Sequence, residues 1–373
     1  MRLLICAGGT GGGVYPALAV LQAVMASHEP GSTQEMLWVG GEGGMEADLV
    51  KRAGVPFETI SAAGVHGVGA RNLPGNIARL VRGYRKAQRI LQDFRPEVLF
   101  FTGGYVAVPL ALAGRHIPTL LYVPDIEPGL ALKTLARFAD RIAVTAEESR
   151  QYFPKKAGQV VVTGYPTRPE LLAWDADKAR QALGLSKGLP TLLVFGGSKG
   201  ARSINRALMG VLPELLKEMQ VVHISGELDW PEVQAAAGKL DASQAERYRA
   251  FPYLHAEMGA ALSIADLVVS RAGASVLGEF PLFGLPAILV PYPYAWRYQR
   301  VNAEYLTRQG AAEMLRDEDL STGLLPAVRR LMNDPSQRER MRQAMRSLRR
   351  PAAAQAIAEQ LFLLSGSRRL ERT

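Results

Sequence analysis

Short apolar runs alternate with helical stretches along almost the whole chain. In the first half the runs fall at residues 2–6, 36–40, 57–60, 97–101, 119–123, 141–144 and 159–163. Helical periodicity lies between them, near 15–28, 44–53, 76–93, 105–115 and 129–138. Such alternation predicts an α/β fold with a parallel, doubly wound sheet. The rhythm breaks in TGYPTRPELLAWDADKARQALGLSKGLP, a stretch of turn residues and mixed polarity, and restarts with TLLVFGGSKGARSIN at 191–205. Strands are then expected near 220–224, 248–252, 266–270 and 287–290, and amphipathic basic helices over about 320–364. Two Rossmann-like domains result, each opening with a strand, a glycine turn and a helix, and expected to face each other across a cleft. Ligands of such sheets bind outside the carboxyl ends of the strands, where these turns lie.

Composition narrows the picture. At 373 residues the chain exceeds one ordinary core, and 48% hydrophobic with 21% charged residues is a globular balance. Cys6 is the only cysteine, so no internal disulfide forms and a reducing cytoplasm fits. Glycines follow the first apolar run at once, which argues against a signal peptide. No apolar run approaches the roughly 18 residues that would span a bilayer. The net charge of +9 suits an anionic partner. It is concentrated in Arg71, Arg79, Arg82, Arg85, Lys86 and Arg89, and again in RERMRQAMRSLRR at 338–350. Nucleic acid is not expected, because no zinc-ligand spacing, ribonucleoprotein aromatic motif or basic zipper accompanies the charge.

The first turn, AGGTGGGVYPALAV at 7–20, fails the dinucleotide fingerprint: counted from Gly9 the last glycine position is Val14, and from Gly11 it is Pro16. A phosphate-binding loop ending in Gly-Lys-Ser/Thr is also missing. What remains is physical. Glycines let backbone amides approach an anion, and the helix N-terminus favours it. The segment ADLVVSRAGASVLGEFPLFGLPAILVPYP at 265–293 reads as strand, glycine turn, helix and buried strand. Ser275 and Glu279 share one face of that helix, and a carboxylate there can accept hydrogen bonds from both hydroxyls of a ribose.

Seven motifs in order, GGTGG at 8–12, GGMEADLV at 43–50, GGYV at 103–106, GYPTR at 164–168, GGSKGAR at 196–202, SRAGAS with the following GE at 270–279, and RYQRVNAEYL at 297–306, carry a resemblance. The chain resembles the MurG family, inverting glycosyltransferases of family 28 with the GT-B fold, over nearly its whole length. The resemblance implies UDP-N-acetylglucosamine as donor and an undecaprenyl-diphosphate-linked N-acetylmuramyl-pentapeptide as acceptor, the step from lipid I to lipid II of peptidoglycan synthesis. It implies an acceptor and membrane domain over 1–165, a donor domain over 166–345, and a C-terminal helix over 346–373 returning to the first domain. No cofactor is implied. DAD at 175–177 resembles a metal motif of other glycosyltransferases but lies in a linker helix and reads as solvated surface.

Residue by residue, Thr10, Gly11 and Gly12 would face the donor and acceptor diphosphates. Arg168 would lie near the donor, and Ser198 would contact a donor phosphate. Leu254 and the His255 backbone would hold the uracil. Amides of Ala274, Ser275 and Val276 would meet phosphate and sugar, Glu279 the ribose, and Gln299 with Asn302 the transferred sugar. The chain departs from the family at Gly13, where the first loop ordinarily ends in histidine. It departs again at Tyr122, Val123, Pro124 and Asp125, in place of His-Glu-Gln-Asn. A base for the acceptor hydroxyl is therefore sought in Asp125, then Glu127 and His66. An alternative to catalysis by Asp125 is that it caps the helix expected near Pro128. These departures also leave room for a different lipid or glycoside acceptor, or for a UDP-sugar-binding protein without catalysis.

A lipid-linked acceptor calls for a membrane surface. Ile77, Leu80, Val81, Tyr84 and Leu91 are expected on one face of a helix, and Arg79, Arg82, Arg85, Lys86 and Arg89 on the other. That basic face, with Leu73 dipping in, would meet the anionic cytoplasmic face of the plasma membrane as a peripheral attachment.

Overall fold

The computed structural model describes residues 1–8, 11–27, 34–43, 46–61, 73–197, 200–294 and 298–370, with backbone only at 11, 73–78 and 367–370. The first unit comprises Met1–Arg168 and Pro351–Thr373, the second Pro169–Arg350.

In the first unit the apolar runs form β1 (Arg2–Cys6), β2 (Glu35–Gly41), β3 (Phe57–Ile60), β4 (Val98–Phe101), β5 (Thr119–Val123), β6 (Arg141–Val144) and β7 (Val160–Val162). The intervening helices are α1 (Gly11–Ala26), α2 (Glu46–Arg52), α3 (Leu73–Phe94), α4 (Ala107–Ala113) and α5 (Leu130–Leu135). All described pairings are parallel, in the order β3-β2-β1-β4-β5-β6-β7. Strands β1, β4 and β5 are buried at nearly every position, as a sheet covered on both faces requires. The chain runs outward from β1 to β3 and returns at β4, so β1 and β4 flank the point where the direction reverses.

The second unit holds α6 (Ala176–Leu183), β8 (Thr191–Phe195), α7 (Arg202–Leu215), β9 (Gln220–Ile224), α8 (Trp230–Ala237), α9 (Ala242–Ala245) and β10 (Tyr248–Phe251). It continues with α10 (Met258–Ile264), β11 (Leu267–Ser270), α11 (Val276–Phe283), β12 (Ala287–Leu289), α12 (Tyr298–Arg308), β13 (Ala312–Met314), α13 (Leu320–Met332) and α14 (Pro335–Ser347). Its order, β10-β9-β8-β11-β12-β13, puts the reversal between β8 and β11. Strand β13 is an addition to the sequence expectation, because Ala-Glu-Met offers no apolar run. The last helix, α15 (Ala353–Leu370), packs on α1, β4 and β5 of the first unit.

Asp175 is exposed, in line with the solvated surface expected for DAD, and its carboxylate also caps α6, accepting from the Asp177 and Lys178 amides at 3.1 and 2.9 Å. Two local expectations change. Helix α5 begins after Gly129, so the N-cap position belongs to that glycine and not to Asp125. In α3 the buried arc runs through Gly83, Ala87, Ile90 and Leu91, and Val81 is 46% exposed among the basic residues. The reason is Gly83: a Cβ there would lie 2.3 Å from the Ser61 carbonyl oxygen, so the backbone itself meets the neighbouring segment. Counting only large apolar residues rotated the expected face.

Candidate functional site

On the first unit, four segments converge at the carboxyl ends of β1, β4 and β5. Beneath the first glycine turn lies Glu46, 1% exposed, whose Oε1 accepts from the Gly41 amide at 2.9 Å. A Cβ on Gly8 would sit 2.5 Å from that same oxygen, which makes glycine obligatory here unless the carboxylate moves. Its other oxygen, Oε2, is buried with no hydrogen-bond partner among the described residues. Across the reversal point, the buried Thr102 hydroxyl donates to the Gly13 carbonyl at 2.8 Å. A side chain at position 13 would start 3.3 Å from Thr102 Oγ1, so the glycine that replaces the family's histidine is fitted to this contact.

Tyr122, at the family's other histidine position, is fully buried, and its hydroxyl pairs with Thr145 Oγ1 at 2.8 Å. The Thr145 hydroxyl lies within hydrogen-bond reach of the Pro124 carbonyl at 2.8 Å and the Val123 carbonyl at 3.2 Å. Burial pushes the Tyr122 phenol well above its ordinary range, and the nearby Asp125 charge pushes it the same way, so it stays protonated. This tyrosine is a prop beneath the turn that carries Asp125. Asp125 itself is half-buried at the strand end. Glu127 is 4% exposed and pairs with Lys133 Nζ at 3.3 Å. That ion pair ties the Glu127 carboxylate to α5. Arg168 lays its guanidinium 4.6 Å from the centre of the Tyr15 ring, beside the start of α1. Gly11 and Gly12 open α1; Thr10, His66 and Ser198 lie outside the described residues.

On the second unit, α7 and α11 both start after glycine turns with no side-chain cap, an arrangement that at α7 can turn first-turn amides toward an anion. Those of α11 already meet carbonyls of their own turn, Leu277 to Ala274 and Gly278 to Ser275, each at 3.1 Å. Ala274 and Ser275 precede α11 as expected. The Val276 amide departs from expectation, for it donates to the Gly273 carbonyl at 3.2 Å. Glu279 sits half-buried on the first turn of α11. Leu254 is buried and His255 exposed, its ring edge-on to Tyr253 with centroids 4.7 Å apart. Gln299 accepts from the Tyr292 amide at 2.9 Å and so shapes the preceding loop. Asn302, expected at the transferred sugar, is 0% exposed, and its amide donates to the Ala272 carbonyl at 3.1 Å, a bond that holds the glycine turn from behind.

Arg271, between strand and turn in SRAGAS, went unassigned in the sequence and is central in three dimensions. Its buried guanidinium donates to Asp317, to the Ser203 hydroxyl at 2.7 Å and to the Val290 carbonyl at 3.2 Å. Ser203 belongs to the first turn of α7, so one side chain ties both glycine turns together. The only signal in the sequence was an arginine directly after an apolar strand, where a solvated position is not expected.

Two parallel α/β domains, each with a glycine turn at its reversal point, define the GT-B class of nucleotide-sugar enzymes. Residues 3–144 match the glycosyltransferase family 28 N-terminal domain and residues 191–360 the family 28 C-terminal domain. The chain belongs to glycosyltransferase family 28. It is 41% identical, over 98% of its length and 94% of the relative's, to a Roseiflexus sp. (strain RS-1) protein. That protein is named UDP-N-acetylglucosamine–N-acetylmuramyl-(pentapeptide) pyrophosphoryl-undecaprenol N-acetylglucosamine transferase. A Listeria monocytogenes protein of the same name is 36% identical over 96% of this chain and 98% of its own. Among solved structures, Acinetobacter baumannii MurG superimposes with a TM-score of 0.74 at 25% identity, covering 97% of this chain and 99% of that one. A Neisseria meningitidis UDP-GlcNAc 2-epimerase bound to UDP-GlcNAc shares the fold, with a TM-score of 0.69 at 12% identity over 97% of this chain and 100% of that one.

Proposed function

We propose that the chain transfers N-acetylglucosamine from UDP-N-acetylglucosamine to the undecaprenyl-diphosphate-linked N-acetylmuramyl-pentapeptide, converting lipid I to lipid II. The observation that carries this reading is the near full-length identity to transferases named for that reaction. In it, the second unit takes the donor. Uncapped amides at the start of α7, with Ser198 and the Ala274 and Ser275 amides ahead of α11, receive the diphosphate, while Glu279 receives the ribose and Leu254 and His255 the base. The first unit takes the acceptor beside Asp125 and the glycine turn, and Arg168, beside the start of α1, lies toward the donor diphosphate. The acceptor hydroxyl attacks the anomeric carbon, its proton passes to the Asp125 carboxylate, and the bond to the diphosphate breaks with inversion. Charge left on the departing UDP is stabilised by the helix-terminal amides.

Transfer of labelled N-acetylglucosamine to the muramyl-pentapeptide lipid in detergent tests the reading. Turnover supports it, and donor binding without turnover on this lipid refutes the assigned acceptor. A second reading, the same donor with another lipid or glycoside acceptor, is favoured by one feature: both family histidine positions are here committed to packing, Gly13 against Thr102 and Tyr122 against Thr145.

Attachment to the inner membrane surface belongs to the same proposal. Among the described residues no helix is long and apolar enough to cross a membrane. Arg79, Arg82, Arg85, Lys86 and Arg89 are all exposed on α3, which supports electrostatic docking to anionic lipid, while the side chains of Leu73 and Ile77 lie outside the described residues. Cosedimentation with anionic but not zwitterionic liposomes at low salt is the expected result, and indifference to both would sink the attachment.

A further inference from the structure

Asp229 occupies the N-cap position of α8, where an aspartate ordinarily accepts from its own helix. Here it makes no such cap bond, and its carboxylate is turned onto α7 instead. Its Oδ1 accepts from Arg202 Nε at 2.9 Å, and its Oδ2 accepts from Asn205 Nδ2 at 2.8 Å. Both donors belong to the first turn of α7, directly after the glycine turn GGSKGAR. Asp229 is 5% exposed, so this is a buried anion held at a helix N-terminus, where the helix dipole favours it.

Behind it the network is complete. Asn205 Nδ2 also donates to the Ser225 carbonyl at 2.9 Å, and that carbonyl is the wall on which Gly200 rests. A Cβ at Gly200 would stand 2.2 Å from it, and Gly200 has φ of +76°. With both Asn205 amide hydrogens assigned, its Oδ1 must accept from His223 Nε2 at 3.0 Å. The remaining ring nitrogen, Nδ1, then accepts from the Tyr248 hydroxyl at 2.7 Å. Buried donors and acceptors satisfied in one chain leave a single arrangement for the turn.

We propose that Asp229 is a positioning residue of the donor site, which sets the first turn of α7, and with it the amides after the glycine turn, in the orientation that receives a nucleotide diphosphate. This rests on the donor reading above. Asp229 does not touch the donor in this scheme; it acts through Arg202 and Asn205.

The test is calorimetric titration of the full chain with UDP, together with steady-state kinetics, for the wild type, Asp229→Ala and the isosteric Asp229→Asn. In Asp229→Ala, UDP binding is expected to weaken and the KM for UDP-N-acetylglucosamine to rise about tenfold, the scale of one lost charge-assisted hydrogen bond. The KM for the acceptor should not change. Asp229→Asn keeps an oxygen for Asn205 and should show a smaller rise, about threefold. Variants that melt lower but bind UDP as the wild type does would overturn the proposal and leave Asp229 a purely structural residue. Failure of the wild type to bind UDP would overturn the donor reading, and the proposal with it.

Discussion

The reversal point of the first sheet is spanned by a threonine hydroxyl on a carbonyl, and that of the second by a buried guanidinium on a serine and a carboxylate. The first turn is shaped by close packing, with Glu46 under Gly8 and Thr102 against Gly13. The second is braced by charge on both sides: Arg271 and Asp317 toward β11, Asp229 and Arg202 toward β9. Both turns begin a helix after a strand, so the difference lies in what surrounds them. A turn held by packing can lose a side chain, as at position 13, without an orphaned partner. A turn held by buried ion pairs cannot, because each charge left alone carries a desolvation penalty.

The largest expected effect is chemical and confined to the first unit. Asp125→Ala should lower the transfer rate about a thousandfold, the scale of general-base catalysis, with UDP affinity unaltered. Transfer at the wild-type rate would move the chemistry away from that strand end and undo the division of labour.

Acid should act on the second unit. Burial lowers the His223 pKa from 6.5 to about 4, so between these values the unfolded chain binds more protons than the folded one. Stability is therefore whole above pH 6.5 and falls as pH drops toward 4, by roughly 3 kcal/mol for this residue. Urea midpoints across that range, compared with those of His223→Gln, would expose the slope; identical profiles would remove His223 from the network.

Two glycine substitutions give the direct contrast. Gly200→Ala places a Cβ against backbone at a positive φ and should cost roughly 2 to 3 kcal/mol while weakening UDP binding. In Gly13→His the added Cβ meets the Thr102 side chain and backbone at 3.3 to 3.9 Å, so about 1 kcal/mol is expected from thermal melts. A larger loss at Gly13 than at Gly200 would invert the comparison.

Much of the fold was legible because parallel strands here are runs of apolar residues. The expected strands at 57–60, 119–123, 141–144 and 220–224 coincide with the observed ones. Strand β13 escaped notice because its partner β12, not its own composition, makes it a strand. The site was legible less evenly. Glycine turns announce themselves through backbone needs, whereas the burial of Asn302 and Tyr122, read as ligand and lost catalyst, does not. Burial of a polar side chain depends on segments far away in the chain, which no local pattern records.

By itself the sequence determined the α/β class, the two glycine turns and the family, since these depend on apolar periodicity, on residues lacking a Cβ, and on ordered motifs. Only the tertiary structure decided that Ser203 meets Asp317, that Asp229 serves α7 rather than its own helix, and that Val81 faces outward. Those outcomes rest on long-range contacts, where geometry and desolvation choose among partners that the local sequence leaves equivalent.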